Sequence, residues 1–402
     1  MRKYMLRKRI FAIVFLLTVF GFAGVNFAHS YEPLEEVLAA GDATPAVLET
    51  TITENLYERM DFIEAYGFIQ VLLNKRESND FSYIKDEDGF LHYASFYREE
   101  DTRMFEYAMR VKRLQDYVEK SGTKVLFVVP PGKFDAHYTN FREGMPVNDP
   151  SYIVNEILFH LNRLGVETLD LRESIPNEEV PYQEAFFKTD HHWTIPAAFY
   201  ATRVLVDKLE ESFGEELDPE GFYMDIANYE VVTYYSGMLG SMGRRTGVNF
   251  SCIEDFTALW PKFSGQFSRE SMMDSGHRQT QEGSFSEVLM STNVLTKKTD
   301  IYSDSQYSLY LDGLRIYEKI VNEENPDGCS VFFVRDSYFS PVMAFLAPMC
   351  GEIDAIWSLE ESRELDIETY LKENTFDYVI IEVYPYNINS SAFNFFQEDS
   401  EE

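Results

Sequence analysis

The sequence predicts an α/β protein with a parallel sheet that is covered by helices on both faces. One observation supports this sheet, and two more add an N-terminal segment and an insertion to the prediction. Short apolar runs that read as buried strands alternate with amphipathic stretches of helical period over roughly 300 residues, the pattern of a doubly covered sheet. A basic and then apolar N terminus precedes this region, which predicts a membrane or signal segment. A stretch rich in tyrosine, serine and glycine interrupts the alternation and predicts an irregular insertion.

The N terminus combines a basic start with a long apolar run. Residues 1–9, MRKYMLRKR, carry five basic and no acidic side chains, and the run Ile10 to Ala28 follows them. We expect residues 1–30 to be a cleaved signal peptide or an uncleaved signal anchor, and both alternatives send the remainder of the chain outside the cytoplasm. Residues 31–80 look helical and polar-rich and predict an N-terminal extension or stalk.

Composition excludes several classes of function. The chain has 402 residues, 45% of them hydrophobic, and a formal net charge of −33. Such an acidic surface repels nucleic acid, so we expect no nucleic-acid partner. Its three cysteines, Cys252, Cys329 and Cys350, form no CxxC motif, which excludes zinc-finger and thioredoxin-like sites but leaves one disulfide possible.

The alternation of helices and strands begins after a predicted hairpin at 83–93, in which Asp88-Gly89 forms the turn. Glycines that follow helical patterns, such as Gly122 and Gly165, mark helix ends, and Thr194 before Pro196 marks a helix start. The predicted strands are KVLFVVPP (124–131), VETLDL (166–171), CSVFFV (329–334), IDAIW (353–357) and DYVIIEVY (377–384). The predicted helices start near residues 104, 151, 195, 340 and 367.

The predicted insertion covers about 213–310, with YYSGMLGSMGRRTG (234–247) as its clearest loop. Its aromatic side chains are suited to stacking on sugar rings, although core and loop packing is the more common use of such residues.

Functional groups of parallel sheets gather at the carboxyl ends of the strands. The strand ends to inspect are therefore 128–133, the DHHW segment 190–193, 334–341 and 382–387. Ser337 follows an apolar strand and precedes a helix, which exposes its hydroxyl beside helix-terminal N–H groups, although a serine there is also an ordinary helix cap. The candidate substrate contacts near these ends are Lys133, Trp193, Tyr384 and Asn387.

The segment TDHHW places a carboxylate close to two imidazoles. If it is extended, Asp190 and His192 share one side and His191 points to the other. A carboxylate that bonds one ring nitrogen orients the imidazole, and the other nitrogen is then free to take a proton from a hydroxyl. We therefore expect Asp190 to orient His192, His192 to act as the base and Ser337 to act as the nucleophile.

A metal site is the alternative for the same segment. His191, Asp190 and either Asp135 or His137 offer suitable ligands, but no HExxH motif or second histidine–aspartate cluster supports this reading. We therefore expect neither a metal nor another cofactor.

These motifs resemble those of the DHHW family and of the related SGNH-like alginate O-acetyltransferases. The resemblance extends over most of residues 80–390 and includes DEDGFLHY, VLFVVPPGK, KTDHHWT, GMLGSMGRRTG, VRDSYFSPVMAFLAP and FDYVIIEVY in that order. It implies a flavodoxin-like, SGNH hydrolase-like domain over 81–395 and a Ser-His-Asp triad of Ser337, His192 and Asp190. The motif order is reversed relative to ordinary SGNH hydrolases, and Arg335 stands where those enzymes usually have glycine.

The resemblance further implies an extracytoplasmic O-acetyltransferase that acts on a cell-surface or exported polysaccharide through an acyl-enzyme. A membrane-bound O-acyltransferase is the expected acetyl donor. Two alternatives remain open from the sequence: a carbohydrate acetylesterase with the same triad, and a non-catalytic cell-surface protein that binds or assembles polysaccharide.

Overall fold

The computed structural model describes residues 2–41, 43–93, 103–145, 147, 149–273, 276–295, 301–302, 305–358 and 365–397. Parts of the predicted insertion, 274–275, 296–300 and 303–304, lie outside these residues. The helices are α1 Arg2–Ala40, α2 Pro45–Glu54, α3 Arg59–Leu72, α4 Met104–Val118, α5 Ser151–Arg163, α6 Tyr182–Ala185, α7 Ile195–Phe213, α8 Ser241–Thr246, α9 Phe285–Val288, α10 Ser340–Leu346 and α11 Ile367–Glu373. The strands are β1 Glu77–Ser78, β2 Tyr83–Lys85, β3 Leu91–Tyr93, β4 Lys124–Val129, β5 Glu167–Asp170, β6 Tyr229–Met238, β7 Glu254–Pro261, β8 Phe267–Met272, β9 Arg278–Gly283, β10 Tyr317–Asn322, β11 Ser330–Arg335, β12 Glu352–Trp357 and β13 Tyr378–Glu382.

The core of the protein is an eight-stranded sheet in the order β5-β4-β13-β11-β12-β10-β8-β9. The first five strands are parallel, as their continuous apolar runs predicted. Side chains alternate between the two faces of each strand, so that Phe333 of β11 packs with α7 and α10 while Phe332 packs with α4, α5 and α11. The prediction of helices on both faces is therefore confirmed.

The other three strands add an antiparallel part to the predicted parallel sheet. β10, β8 and β9 are antiparallel to their neighbours and extend the sheet beyond β12. Two of them, β8 and β9, lie in the region that we expected to be irregular. β9, RQTQEG, carries no apolar run because it is the edge strand and buries little of its surface. β8, FSRESM, carries none because it buries the polar Arg269 and Ser271 beside its apolar residues.

The stretch 234–247 is also more regular than the loop that the sequence predicted. β6 continues to Met238 and forms a two-stranded ribbon with β7, and α8 follows at Ser241. Gly240 and Gly243 of this stretch allow close packing against Thr189 and Asp190.

The strand order reveals a rearranged connectivity. When strands are counted from β11, the five parallel strands are β11, β12, β13, β4 and β5, and their spatial order becomes 2-1-3-4-5. This is the flavodoxin-like order. The chain thus has the expected sheet with its start moved to β4, which explains why the aspartate and histidine precede the serine.

The N-terminal region holds one described helix, α1, that is long and apolar enough to cross a membrane. The expectation of a polar-rich extension is wrong for α3, RMDFIEAYGFIQVL, most of whose exposed side chains are apolar.

A buried network of ion pairs includes Arg335, the last residue of β11. Glu318 of β10 accepts hydrogen bonds from both Arg335 and Arg269, and all three side chains are almost fully buried. Arg335, which we noted in place of a glycine, therefore pairs within the sheet.

We predict that Glu318→Gln lowers the free energy of unfolding by about 3–5 kcal/mol, because it leaves two buried guanidinium groups without their counter-charge. Urea unfolding followed by circular dichroism measures the change. The control is Glu179→Gln, which breaks an exposed pair with Arg203 and should cost less than about 1 kcal/mol. Equal losses in the two variants would contradict the importance of the buried network.

Candidate active site

Ser337 lies on the turn between β11 and α10. The preceding Asp336 is extended, and its Oδ1 accepts a hydrogen bond from the N–H of Tyr338 at 3.0 Å, which caps the short turn that Ser337 begins. Asp336 Oδ2 accepts the N–H of Tyr384 at 3.1 Å and the amide of Asn387 at 2.8 Å. The serine turn is therefore fastened to the chain that follows β13, and Ser337 itself is only half-buried.

The structure brings the three predicted catalytic residues into one hydrogen-bonded chain. His192 Nε2 lies 2.7 Å from Ser337 Oγ, and His192 Nδ1 lies 2.6 Å from Asp190 Oδ1. The His192 ring also stacks on Tyr307 with 3.8 Å between ring centroids. The imidazole is thus held at both nitrogens and on one face.

Asp190 is 1% exposed, so its oxygens need partners inside the protein. Oδ1 accepts from the backbone and ring of His192, and Oδ2 accepts the N–H of Ser241 at 2.7 Å. Burial by itself raises the pKa of Asp190, but the two neighbouring histidines and these hydrogen bonds outweigh it and hold the pKa well below its usual range. Asp190 is therefore ionised whenever the protein is folded near neutral pH.

The hydrogen bond from Ser241 of α8 to Asp190 requires a glycine at position 240. A Cβ on Gly240 would lie 2.4 Å from the Cβ of Asp190 and 2.5 Å from the carbonyl oxygen of Thr189. The N–H of Gly240 donates to Thr189 Oγ1 at 2.8 Å. Only a residue without a side chain allows α8 to approach Asp190 so closely.

His191 does not point away from Asp190, as an extended segment would require. Residues 188–192 form a series of bends, and the His191 ring lies 3.8 Å from that of His192 between centroids. Its Nδ1 is 3.3 Å from Ser241 Oγ. Burial, together with the neighbouring His192, lowers the pKa of His191, so this ring is neutral at pH 7 and packs against the base.

The four predicted substrate contacts all lie near the triad, and three of them are buried. Lys133 donates to the carbonyl oxygens of Phe187, Lys188 and Asp190, which shapes the DHHW bend, and burial lowers its pKa to about 8. Trp193 is fully buried and donates its indole N–H towards Tyr307 and the carbonyl oxygen of Tyr338.

The remaining two contacts follow β13. The buried ring of Tyr384 stacks on Tyr338 with centroids 4.5 Å apart. Asn387 is partly exposed, but its amide is bonded to Asp336. The structure thus places the four residues around the triad, with Lys133, Trp193 and Tyr384 buried, and their contact with a substrate stays a prediction.

Sequence reasoning missed three residues of the site: Ser241, Tyr307 and Glu382. The closely spaced glycines 237, 240 and 243 were a usable signal for the first, since they allow close backbone packing. No local pattern identifies Tyr307 as the residue that stacks on His192, because that contact depends on the fold alone.

A developing oxyanion at Ser337 would meet the backbone N–H of Ser337. Within the part of the chain that the structure describes, this N–H donates to no protein acceptor, whereas the N–H groups of Asp336 and Tyr338 on either side are both bonded. The arrangement leaves one donor beside the hydroxyl, as an oxyanion hole requires.

The metal alternative has a geometric basis, but one that conflicts with the hydrogen bonds. Ligand atoms of Asp190, His191 and His192 lie within 4.8 Å of one another. Those of Asp190 and His192 already bond to each other, to Ser241 and to Ser337, so an ion would have to break the triad. Asp135 and His137, named as further ligands, bond to each other on the surface.

We predict that Gly240→Ala lowers esterase activity towards an activated acetyl ester by about 10²-fold, because the new methyl group displaces Asp190 or α8. The assay compares kcat with that of Gly132→Ala, whose Cβ would lie 3.6 Å from its nearest neighbour on Tyr386 and should leave the rate unchanged. A fully active Gly240→Ala variant would show that the close approach is not needed.

A second prediction concerns Glu382, whose Oε2 accepts the N–H of Asp336 at 2.9 Å. Burial, and then the nearby Asp336 charge, raise the pKa of Glu382 well above its ordinary value of 4.5. Above a pH of about 4.5, the glutamate of the unfolded chain loses its proton while Glu382 of the folded protein keeps its own. The free energy of unfolding therefore falls as pH rises, by up to about 1.4 kcal/mol per pH unit.

We expect Glu382→Gln to flatten this fall, because glutamine stays neutral and retains an oxygen for the N–H of Asp336. Urea unfolding at mildly acidic and mildly alkaline pH measures the slope. Glu368→Gln, in a partly exposed pair with Lys372, is the control and should keep the wild-type slope. A wild-type slope in Glu382→Gln would refute a protonated Glu382.

Comparisons with known proteins agree with this fold. Residues 84–241 match the family model ALGX, an SGNH hydrolase-like domain of the acetyltransferase AlgX, which includes Asp190 and His192 but ends before Ser337. No curated protein matches the sequence.

Two of the solved structures that resemble this chain each cover 78% of it. One is PatB1 of Bacillus cereus with a sulfonyl adduct, at a TM-score of 0.61 and 18% identity, covering 78% of this chain and 97% of that one. The other is a DHHW family protein from Eubacterium siraeum, at a TM-score of 0.55 and 18% identity, covering 78% and 94%. The chain therefore has the SGNH hydrolase-like fold that its DHHW and DS motifs predicted, and residues 84–241 match the AlgX acetyltransferase domain in sequence.

Proposed function

We propose that this protein is a serine-dependent O-acetyltransferase that acetylates hydroxyl groups of a cell-surface or exported polysaccharide. The observation that carries the proposal is the continuous chain Asp190–His192–Ser337, with links of 2.6 and 2.7 Å. The sequence match of residues 84–241 to an acetyltransferase domain supports the same chemistry.

In the first half-reaction Ser337 takes the acetyl group. With the Nδ1 proton directed at Asp190, the lone pair of His192 Nε2 faces the Ser337 hydroxyl and accepts its proton as Oγ attacks the acetyl carbonyl. The ionised carboxylate of Asp190 stabilises the imidazolium that forms. His192 then returns the proton to the leaving group of the donor, and an acetyl-serine ester remains.

In the second half-reaction a sugar hydroxyl replaces the donor. His192 takes the proton of that hydroxyl, its oxygen attacks the acetyl-serine carbonyl, and Ser337 leaves with the proton that His192 returns to it. Both tetrahedral intermediates place a negative oxygen beside the N–H of Ser337. The reaction needs no metal or cofactor. The acetyl group that leaves the donor is the one that the sugar receives.

The location that fits this function is the outer side of a membrane. The basic residues at the start of α1, before its apolar run, favour retention of the N terminus in the cytoplasm, so the domain that holds the triad lies on the other side, whether α1 remains as an anchor or is removed. An acetyl donor there must receive its acetyl group across the membrane, and a membrane-bound O-acyltransferase is the partner that we propose for this step.

Water in place of the sugar would turn the same triad into a carbohydrate acetylesterase. The two activities differ in whether added acceptor captures the acetyl group, so an acceptor experiment separates them. The third alternative, a non-catalytic binding protein, makes no use of the hydroxyl of Ser337.

We predict that Ser337→Ala lowers acetyl transfer by roughly 10⁴-fold or more, because it removes the nucleophile. The assay supplies an activated acetyl ester with and without oligosaccharide and measures acetylated sugar, free acetate and the intact mass of the protein. The wild-type protein should gain the mass of one acetyl group, and sugar should raise product at the expense of acetate.

The matched control is Ser330→Ala, at the opposite end of β11, where the hydroxyl bonds to Asp377. It should keep the wild-type rate. Acetate release that oligosaccharide does not change would favour the esterase, and full activity of Ser337→Ala would remove the enzymatic proposal.

A further inference from the structure

Helix α3 carries an apolar surface that the described residues of the protein leave exposed. Leu72 at the end of α3 and Leu73 directly after it are 72% and 60% exposed. Further large apolar side chains are exposed on the same helix: Phe62, Tyr66, Phe68, Ile69 and Val71. A surface helix of a soluble protein shows a polar outer face, whereas a contiguous apolar patch of this kind marks an interaction site.

The contacts of α3 with α1 indicate what covers this surface. The rings of Phe22 and Phe62 pack edge to face with centroids 5.6 Å apart. Asn26 Oδ1 accepts the backbone N–H of Tyr57 at 2.8 Å, just before α3 begins. Both α1 residues lie in the apolar run Ile10 to Ala28, so the start of α3 is level with the outer part of that run.

The depth of these contacts suits the boundary of a bilayer. Phe22 is six residues before the end of the run at Ala28, which corresponds to about 9 Å along a helix. Interfacial helices bury their apolar faces by about 5–10 Å at the boundary between headgroups and acyl chains. A helix at this level lets the long side chain of Arg59 extend to the headgroups and the apolar side chains of α3 extend to the acyl chains.

The other side of α3 contacts the domain that holds the triad. Glu64 accepts the N–H groups of Val248 and Asn249, the latter at 2.9 Å. Gly67 lies so close to Thr246, the last residue of α8, that a Cβ there would be 2.5 Å from the carbonyl oxygen of Thr246. The opposite end of α8 holds Asp190 through Ser241.

We propose that α3 is an interfacial membrane helix whose exposed apolar face is occupied by the lipid bilayer that α1 crosses. α1 is then an uncleaved anchor, and α3 fixes the catalytic domain against the membrane surface through α8. The site is held at the membrane in one orientation, in contrast to a domain on a flexible stalk.

The test places tryptophan in the full-length protein, reconstituted in nanodiscs of phosphatidylcholine with or without brominated acyl chains, which quench tryptophan on contact. Leu72→Trp reports on α3. Phe20→Trp, on the exposed side of α1, is the positive control, and Phe159→Trp, exposed on α5, is the negative control. The unsubstituted protein gives the background of its three tryptophans, and circular dichroism checks that each variant is folded.

We expect Leu72→Trp to lose most of its additional emission in brominated lipid, as Phe20→Trp does, while Phe159→Trp keeps it. Emission from Leu72→Trp that is red-shifted and unquenched would show that α3 faces water and would overturn the proposal. Emission that is blue-shifted but unquenched would mean that another copy of the protein covers α3, which would equally overturn the bilayer as its occupant.

Discussion

The arrangement of this protein depends on keeping one buried carboxylate ionised. Asp190 has almost no contact with solvent, and an ionised group in that position is tolerated only when protein donors replace water. His192 supplies two of these donors and the N–H of Ser241 supplies a third. The insertion therefore contributes to the catalytic geometry itself, because α8 must reach Asp190, and α8 in turn contacts α3. Asp190, the insertion and the N-terminal region thus meet at one short helix.

Much of the fold followed from local sequence. The strands β4, β11, β12 and β13 were visible because strands that are covered on both faces need unbroken apolar runs, and their neighbouring helices were visible by their period and caps. The three triad residues were identifiable for a related reason. A carboxylate two residues from an imidazole is close enough to bond it, and a serine at the end of an apolar strand has an exposed hydroxyl. Both arrangements can therefore be recognised from a short stretch of sequence.

The remainder depended on partners distant in sequence. β8 and β9 have no apolar run, since pairing with a neighbour rather than burial makes them strands. Lys133 was a candidate substrate contact because it lies at a strand end, yet its ammonium bonds to carbonyl oxygens of the DHHW bend more than fifty residues later. The bend also placed His191 beside His192, where an alternating strand would have separated them. Burial and pairing of this kind are properties of the folded chain and leave little trace in any short window of sequence.

The rearranged strand order has a consequence for how the chain folds. β4 and β5 are made early, but β4 pairs with β13, and β13 pairs with β11, so the centre of the sheet comes from the last part of the chain. Contacts of such long sequence separation are slow to form, because a long loop must close before they stabilise anything. β4 therefore gains its second neighbour in the sheet only from a strand near the end of the chain. Since β11 leads directly into Ser337, the hydrogen bond between Ser337 and His192 depends on the same long-range pairing that completes the centre of the sheet.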